Sequence, residues 1–167
     1  MKRSADISPC GRYRYVLTRR WDDLVPPMLV IGLNPSTADA DVDDPTIRRC
    51  IAFARRESAG GVVMLNLFAL RSTDPKALAV AEDPIGTGND HILSEFAAEA
   101  RRTGTGVVCA WGNGGRLLSR SRCVVARLLA QGAELLHFGL TSAGEPKHPL
   151  YLHNRTPLQR LRPRLSS

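Results

Sequence analysis

The sequence lacks the features that mark membrane, secreted, disulfide-rich and zinc-binding proteins. None of its apolar runs is long enough to span a membrane, and no apolar segment follows the basic residues 1–3, so we expect a cytoplasmic protein without a membrane partner. The 4 cysteines form no CxxC pair and have no histidine at ligand spacing, which favours buried, reduced thiols. We predict no metal site and no cofactor.

The sequence also lacks a Walker A loop, a GxGxxG fingerprint and a nucleophile elbow. The nearest approach is Gly112–Gly115, a glycine-rich turn between a predicted strand and a predicted helix. Backbone N–H groups at such a turn can hold a phosphate, but a tight turn is the simpler interpretation.

Positive charge is in excess, with 23 lysines and arginines, 16 aspartates and glutamates, and a formal net charge of +7. Arginine outnumbers lysine, and its planar guanidinium suits phosphates and guanine edges. This balance favours nucleic acid or a nucleotide as a partner. GC-rich coding gives the same composition, and the basic residues are scattered along the chain. The sequence does not define the oligomeric state.

Four short apolar runs alternate with amphipathic segments. Each run ends in a polar or aromatic residue, as buried parallel strands do before a loop; the runs cover residues 28–33, 62–66, 107–112 and 134–139. The alternation predicts an α/β three-layer sandwich, with helices on both faces of a central four-stranded parallel sheet. We expect these helices over residues 45–58, 75–81, 89–102 and 117–130.

The partly alternating segment 12–21 predicts an N-terminal edge strand, antiparallel to this sheet. Its alternating arginines and tyrosines suit contacts with nucleic acid, and equally a solvated edge protected by charge. We assign a single domain to residues 10–155 and expect weakly ordered termini over 1–9 and 156–167.

Polar or aromatic residues stand at the ends of three predicted strands. Asn34 follows the first strand, Asn66 ends the second, and Trp111 and Gly112 end the third. Ligands bind outside the carboxyl ends of parallel strands in open α/β sheets. Asparagine amides recognise amide-like edges such as that of a pyrimidine through paired hydrogen bonds, although strand-end asparagines also form turns. We predict a ligand site at this edge of the sheet.

The loop after Asn34 is acidic, and it ends in the helix N-cap signal Asp44-Pro45. Its carboxylate oxygens suit Mg²⁺, and equally a solvated loop that caps a helix; the four aspartates are Asp39, Asp41, Asp43 and Asp44. Asp39 lies just past an Asn-Pro corner, where a carboxylate orients water or an amine. Further along, His148 stands on a proline-rich loop as an acid, a base or a donor to an anion, or as an ordinary loop histidine.

Five motifs over residues 13–153 carry a resemblance to a known family. They are Asn34–Asp39, Asp44–Thr46 with Arg48, Gly88–Asp90, Ala110–Gly112 and His148–Tyr151. Together they resemble an uncharacterised bacterial and phage family, domain-of-unknown-function family sixteen-forty-three. That family brings no established activity.

The strand ends also resemble those of the uracil-DNA glycosylase superfamily. That superfamily has a Gly-x-Asp/Asn-Pro corner, an asparagine after the second strand, a Trp-Gly pattern and a His-Pro loop. Here the corresponding residues follow in the same order: Gly32–Pro35, Leu65-Asn66, Trp111-Gly112 and His148-Pro149. The resemblance implies a uracil-DNA-glycosylase-like fold and hydrolysis of an N-glycosidic bond after extrusion of a base into a pocket.

The same resemblance implies residue roles. Asn34 and Asp39 would position water at the sugar C1′, Asn66 would recognise the base, and His148 would stabilise the leaving base. Arg48 and Arg71 would bind phosphates, and the other substrate-binding positions are Pro35, Ser36, Asp44, Asn89, Trp111, Gly112 and Tyr151. Two alternatives stay open: a non-catalytic domain that binds nucleic acid or a nucleotide, and a metal-assisted hydrolase that uses the loop from Asp39 to Asp44.

Overall fold

A computed structural model describes residues 1–163, and this part of the chain forms one seven-stranded mixed sheet and four α-helices. The α/β class expected from the alternation of apolar runs is therefore confirmed. The strands are β1 (Lys2–Ile7), β2 (Arg14–Arg20), β3 (Met28–Gly32), β4 (Gly61–Asn66), β5 (Val107–Cys109), β6 (Leu135–His137) and β7 (Gln159–Arg160). The helices are α1 (Pro45–Arg56), α2 (Ala77–Val80), α3 (Asn89–Thr103) and α4 (Arg120–Ala130), with 3₁₀ turns over Asn113–Ser119 and Pro149–Tyr151.

The order of the strands across the sheet is β1-β2-β4-β3-β5-β6-β7. The pairs β4–β3, β3–β5 and β5–β6 are parallel, and the pairs at both sides of the sheet are antiparallel. Every residue of β3 and β4 is buried, as is usual for strands that are covered on both faces. The carboxyl ends of β3, β4 and β5 consequently meet at one edge.

Helices cover both faces of the sheet. On one face, α1 buries Ile47, Cys50 and Phe53 against alternate residues of β3 and β4 such as Val30 and Met64. On the other face, α3 and α4 pack on the remaining residues of β3 and β4. This cluster includes Leu93 and Ala97 of α3, Val124 and Leu128 of α4, and Ile31 and Leu65 of the strands. Burial of each large apolar side chain stabilises the fold by about 1.5–3 kcal/mol.

The helix starts follow local chemistry, with two corrections. The Oδ1 of Asp44 accepts a hydrogen bond from the Ile47 amide at 2.9 Å, and Pro45 follows as the first helical residue, as expected. The sequence predicts Asn89 or Asp90 as the N-cap of α3, but the N-cap is Gly88, with φ +82°. The last helix begins at Arg120 rather than near residue 117, because Leu118 and Ser119 adopt left-handed φ values of 54° and 53°.

The ends of the chain differ most from expectation. Residues 2–7 form β1, which pairs with β2 in antiparallel register, so the expected loose segment over 1–9 is wrong. The expected edge strand is consequently internal, since β2 lies between β1 and β4. We expect a weakly ordered C-terminal segment over 156–167, but Gln159–Arg160 pairs with β6. Residues 164–167 of that segment lie outside the described residues.

Two further sequence expectations concern cysteines and membranes. Cys50 and Cys109 are buried, whereas Cys10 and Cys123 are exposed, which corrects the expectation of buried thiols for that second pair. Burial raises the pKa of the Cys50 thiol to about 12. Within residues 1–163, no helix combines the length and the apolar character that crossing a bilayer requires.

Candidate functional site

A cavity of about 340 Å³ opens at the carboxyl ends of β3, β4 and β5. Its volume lies at the lower end of the range of roughly 300–1,000 Å³ that is typical of small-molecule sites. Eight residues predicted from the sequence line this cavity: Asn34, Ser36, Asp44, Asn66, Trp111, Gly112, His148 and Tyr151. The structure thus brings the strand-end asparagines, the Trp-Gly pair and the loop histidine to one place.

Asn66 is the most buried amide of the cavity lining, with 3% of its surface exposed. Its Nδ2 is buried and has no hydrogen-bond partner among the described residues. Space for its side chain exists because Gly32 is its neighbour on β3: a Cβ on Gly32 would lie 3.1 Å from the Asn66 Oδ1. A buried amide without partners is costly unless a ligand or water completes its hydrogen bonds.

The end of β4 is held in place by side chains from α3 and α4. The Nδ2 of Asn89 donates to the carbonyl oxygens of Asn66 and Leu67, at 3.1 and 3.2 Å. The Nε of Arg120 donates to the same Leu67 carbonyl at 2.8 Å. Asn89 therefore positions the backbone of Asn66 and does not line the cavity. Sequence reasoning did not identify Arg120 for this position.

Asn34 uses its amide nitrogen to hold the corner after β3. The Nδ2 donates to the carbonyl oxygens of Pro35 and Ser72, at 3.0 Å in each case. Pro35 stands behind the cavity wall, where its carbonyl also accepts from the Ser72 amide. The amide oxygen of Asn34 is the group that stays available to water or a ligand.

Trp111 and Gly112 form the wall at the end of β5. The indole Nε1 of Trp111 donates to Glu145 Oε2 at 2.8 Å, and Ser121 Oγ donates to Oε1 of the same carboxylate at 3.0 Å. Gly112 has a φ of +68°, and its N–H donates to the Pro146 carbonyl at 2.7 Å. A side chain at Gly112 would be strained in this conformation, so glycine is required where the chain turns from the strand into the wall.

His148 is half-buried and has a defined tautomer. Its Nδ1 accepts a hydrogen bond from the Leu150 amide at 3.2 Å, which leaves the proton on Nε2. Burial lowers the pKa of His148, while the negative charge of Asp44 opposes the shift. The imidazole is consequently a neutral hydrogen-bond donor near pH 7. Tyr151 lies at the mouth of the cavity, 86% exposed, with its ring centroid 6.0 Å from that of His148.

Arg14 is the cavity residue that sequence reasoning missed. The sequence predicts an edge strand over this segment, but β1 pairs with β2 along that edge, and only 2% of Arg14 is exposed. Its Nη1 donates to the Ala38 carbonyl at 2.6 Å, and its buried Nε has no partner in the part of the chain that the structure describes. Burial lowers the pKa of Arg14 to about 10, so the guanidinium stays charged at neutral pH.

Besides Pro35 and Asn89, three further predicted residues lie away from the cavity lining. The Oδ1 of Asp39 accepts from the amides of Asp41 and Val42, at 2.9 and 2.8 Å, and so shapes its own loop. Arg48 is exposed and donates to the Asp43 carbonyl. Arg71 lines a neighbouring groove of about 400 Å³.

The acidic loop makes contacts within the protein. Asp43 forms ion pairs with Arg19 at 2.7 Å and with Arg3 at 3.2 Å, and Asp44 caps α1. Within residues 1–163, no three His, Cys, Asp or Glu side chains are grouped so that they could hold a metal ion. The carboxylates of Asp39, Asp43 and Asp44 are thus engaged with arginines or backbone amides.

These observations define an α/β protein with a small cavity at the carboxyl ends of its parallel strands, lined by polar and apolar side chains. The chain belongs to the family described as "Protein of unknown function (DUF1643)", whose model matches residues 14–150. No curated protein and no solved structure matches the chain.

Proposed function

We propose that the cavity binds a nucleobase and that the protein hydrolyses the N-glycosidic bond of a nucleotide, free or in nucleic acid. The observation that carries the proposal is the shared cavity: Asn34, Asn66 and His148 come from separate segments and line one space of about 340 Å³. The order of these residues along the chain, which resembles that of the uracil-DNA glycosylase superfamily, also supports it.

Asn66 is the base-recognising residue of this proposal. Its Nδ2, which has no partner within residues 1–163, donates to a carbonyl oxygen of the base, and its Oδ1 accepts from a ring N–H. Such a pair of hydrogen bonds discriminates strongly, because a base without these groups leaves the buried amide unsatisfied.

Asp44 takes the role with water that the sequence suggested for Asp39, because Asp44 lines the cavity and Asp39 does not. Its Oδ1 accepts from the Ile47 amide, and its Oδ2 orients the water together with the Asn34 amide oxygen. The oxygen of this water bonds to C1′ as the N–C1′ bond breaks. The electron pair of that bond leaves with the base, and a proton of the water passes to the Asp44 carboxylate.

His148 stabilises the departing base. The base leaves as an anion, and the Nε2–H of the neutral imidazole donates a hydrogen bond to it. A donor that is already fixed by the Leu150 amide costs little reorganisation when the charge develops.

Asn66→Ala tests this proposal, with Asn89→Ala as the comparison. Asn89 is also a buried asparagine, but its side chain donates to the backbone carbonyl of Asn66. We expect the wild type to release base from oligonucleotides or nucleotides that contain uracil or hypoxanthine. Asn66→Ala should weaken binding of the free base by about tenfold or more, since a hydrogen-bonding pair is lost, with thermal stability near that of the wild type. Asn89→Ala should instead lower the thermal stability.

The readouts are base release, followed by chromatography, and nucleobase binding, followed by calorimetry. Base binding that depends on Asn66 without base release would replace the enzyme by the non-catalytic nucleotide-binding alternative. Absence of both base binding and base release would make the proposal wrong.

A further inference from the structure

Arg14 is a buried cation whose hydrogen-bonding capacity is largely unused. A guanidinium has five N–H donors, and within residues 1–163 the Arg14 side chain makes one hydrogen bond, from Nη1 to the Ala38 carbonyl. Its Nε is buried and unpartnered, and the side chain lines the cavity. A buried charge in this state gains from an incoming anion that accepts from the free N–H groups.

The carboxylates around Arg14 have other partners. Asp39 accepts from two amides of its own loop, and Asp43 pairs with Arg19 and Arg3. The charge of Asp44 acts on Arg14, but no described carboxylate lies within salt-bridge distance of it. The anion that completes this site therefore comes from outside residues 1–163.

A second basic feature adjoins the cavity. The neighbouring groove of about 400 Å³ is lined by Arg12 and Arg71 and by four hydroxyl side chains: Ser36, Thr37, Ser72 and Thr73. Three of these hydroxyl residues also line the cavity, namely Ser36, Ser72 and Thr73. The positive charge of Arg71 acts on Arg14. Several guanidinium and hydroxyl donors around one space suit a phosphate better than a single-point anion.

We infer that Arg14 binds a phosphate group of the ligand, so that the substrate is a nucleotide unit rather than a free base or nucleoside. The inference rests on the proposed function in taking the rest of the ligand to be a nucleoside. The base lies beside Asn66, and the phosphate lies between Arg14 and the hydroxyl residues that the cavity shares with the groove.

Calorimetry with the full chain tests this inference, with each of the common ribonucleosides and its 5′-monophosphate as probes. We expect the monophosphate of the preferred nucleoside to bind about 10- to 100-fold more tightly than the nucleoside, since hydrogen bonds to a charged group are strong. Arg14→Met should abolish this gain, and Arg14→Lys should keep part of it. The matched control is Arg101→Met, which removes the same charge from an exposed arginine that donates to the Gln131 carbonyl and lines neither the cavity nor the groove, and it should keep the whole gain.

Two further measurements keep the test decisive. Should Arg14→Met not fold, displacement of the bound monophosphate by inorganic phosphate from the wild type, together with a partial loss in Arg14→Lys, supports the inference. A dinucleoside monophosphate is titrated in parallel. An Arg14-dependent gain with this diester assigns the phosphate to nucleic acid, and a gain with the monoester alone assigns it to a free nucleotide.

Failure of the inference is distinguishable from failure of the proposed function. Equal binding of nucleoside and monophosphate, or the same loss in Arg14→Met and Arg101→Met, overturns the phosphate site, while base binding through Asn66 would still stand. Conversely, Arg14-dependent binding of inorganic phosphate or ribose 5-phosphate, without any contribution from a base, would support the phosphate site and overturn the nucleobase proposal.

Discussion

Arg14 and Arg19 lie on the same strand, and both are buried, with exposed fractions of 2% and 0%. Their surroundings are opposite. Arg19 donates to Asp43 Oδ1 at 2.7 Å and to the carbonyl oxygens of Thr18 and Asp39, at 3.0 and 2.6 Å. Arg14 makes one side-chain hydrogen bond within the described residues and faces a cavity.

The difference distinguishes Arg19, which has a structural role, from Arg14, which we propose to bind a ligand. On the Arg19 side, the loop that contains Asp39 and Asp43 wraps around the guanidinium and satisfies it. On the Arg14 side, the cavity also contains Asn66 with an unpartnered Nδ2 among the described residues. Buried polar groups in folded proteins are normally hydrogen-bonded, so two groups in one cavity without partners among residues 1–163 support the proposed ligand site.

The largest effect on stability is expected from Arg19→Met, because the protein itself satisfies this guanidinium. This substitution leaves Asp43, whose side chain is 14% exposed, without its buried partner, and it removes the donor from several loop carbonyls. Breaking a buried ion pair in this way costs about 3 kcal/mol of unfolding free energy, the low end of the usual range because Arg3 also pairs with Asp43. Urea denaturation measures it, and a loss below about 1 kcal/mol would show that the ion pair is not structural.

A smaller effect on stability is expected from the same substitution at Arg14, on the cavity side of β2. Arg14→Met removes a desolvated charge and inserts an apolar side chain, while the Ala38 carbonyl loses its donor. These contributions oppose each other, so the unfolding free energy should stay within about 1 kcal/mol of the wild-type value. Equal losses in Arg14→Met and Arg19→Met, measured by urea denaturation in the same buffer, would remove the distinction between the two arginines.

The sequence was sufficient to predict the buried strands and the residues at their ends, but not the burial of Arg14. The apolar runs predicted β3 and β4, because strands buried on both faces carry a continuous apolar signal. Asn34, Asn66 and His148 were found because each directly follows or ends such a run or stands on a proline-rich loop. That they line one cavity depends on the sheet order, which the sequence pattern only suggested.

Arg14 was missed because it lies on a strand that the sequence predicts as the edge of the sheet, and because its contact with the Ala38 loop is distant in sequence. Residues 2–7 have no strong strand pattern, and they pair with β2 through backbone hydrogen bonds that any polar sequence can make. The alternation in β2 then looked like that of an exposed edge strand. The roles expected for Asp39 and Arg48 also depended on loop conformation, since the Asp39 carboxylate turns to the amides of its own loop.

The smallest effect on stability concerns His148, and it tests whether the cavity lining includes a neutral imidazole. Burial lowers the pKa of His148 below its ordinary value of 6.5. The unfolded chain then binds a proton more readily than the folded protein, so stability falls as the pH drops through about 6.5 toward the folded pKa. Protonation also removes the Nδ1 acceptor from the Leu150 amide.

His148→Gln should remove this part of the pH dependence. We expect the wild type to lose more unfolding free energy than the variant between pH 7.5 and pH 5, measured by urea denaturation at both values. The other histidines are present in both proteins and cancel in the difference. Equal losses would show that His148 titrates alike in the folded and unfolded states. The cavity would then hold an ordinary surface imidazole, and the Nε2–H would not be a donor reserved for the leaving base.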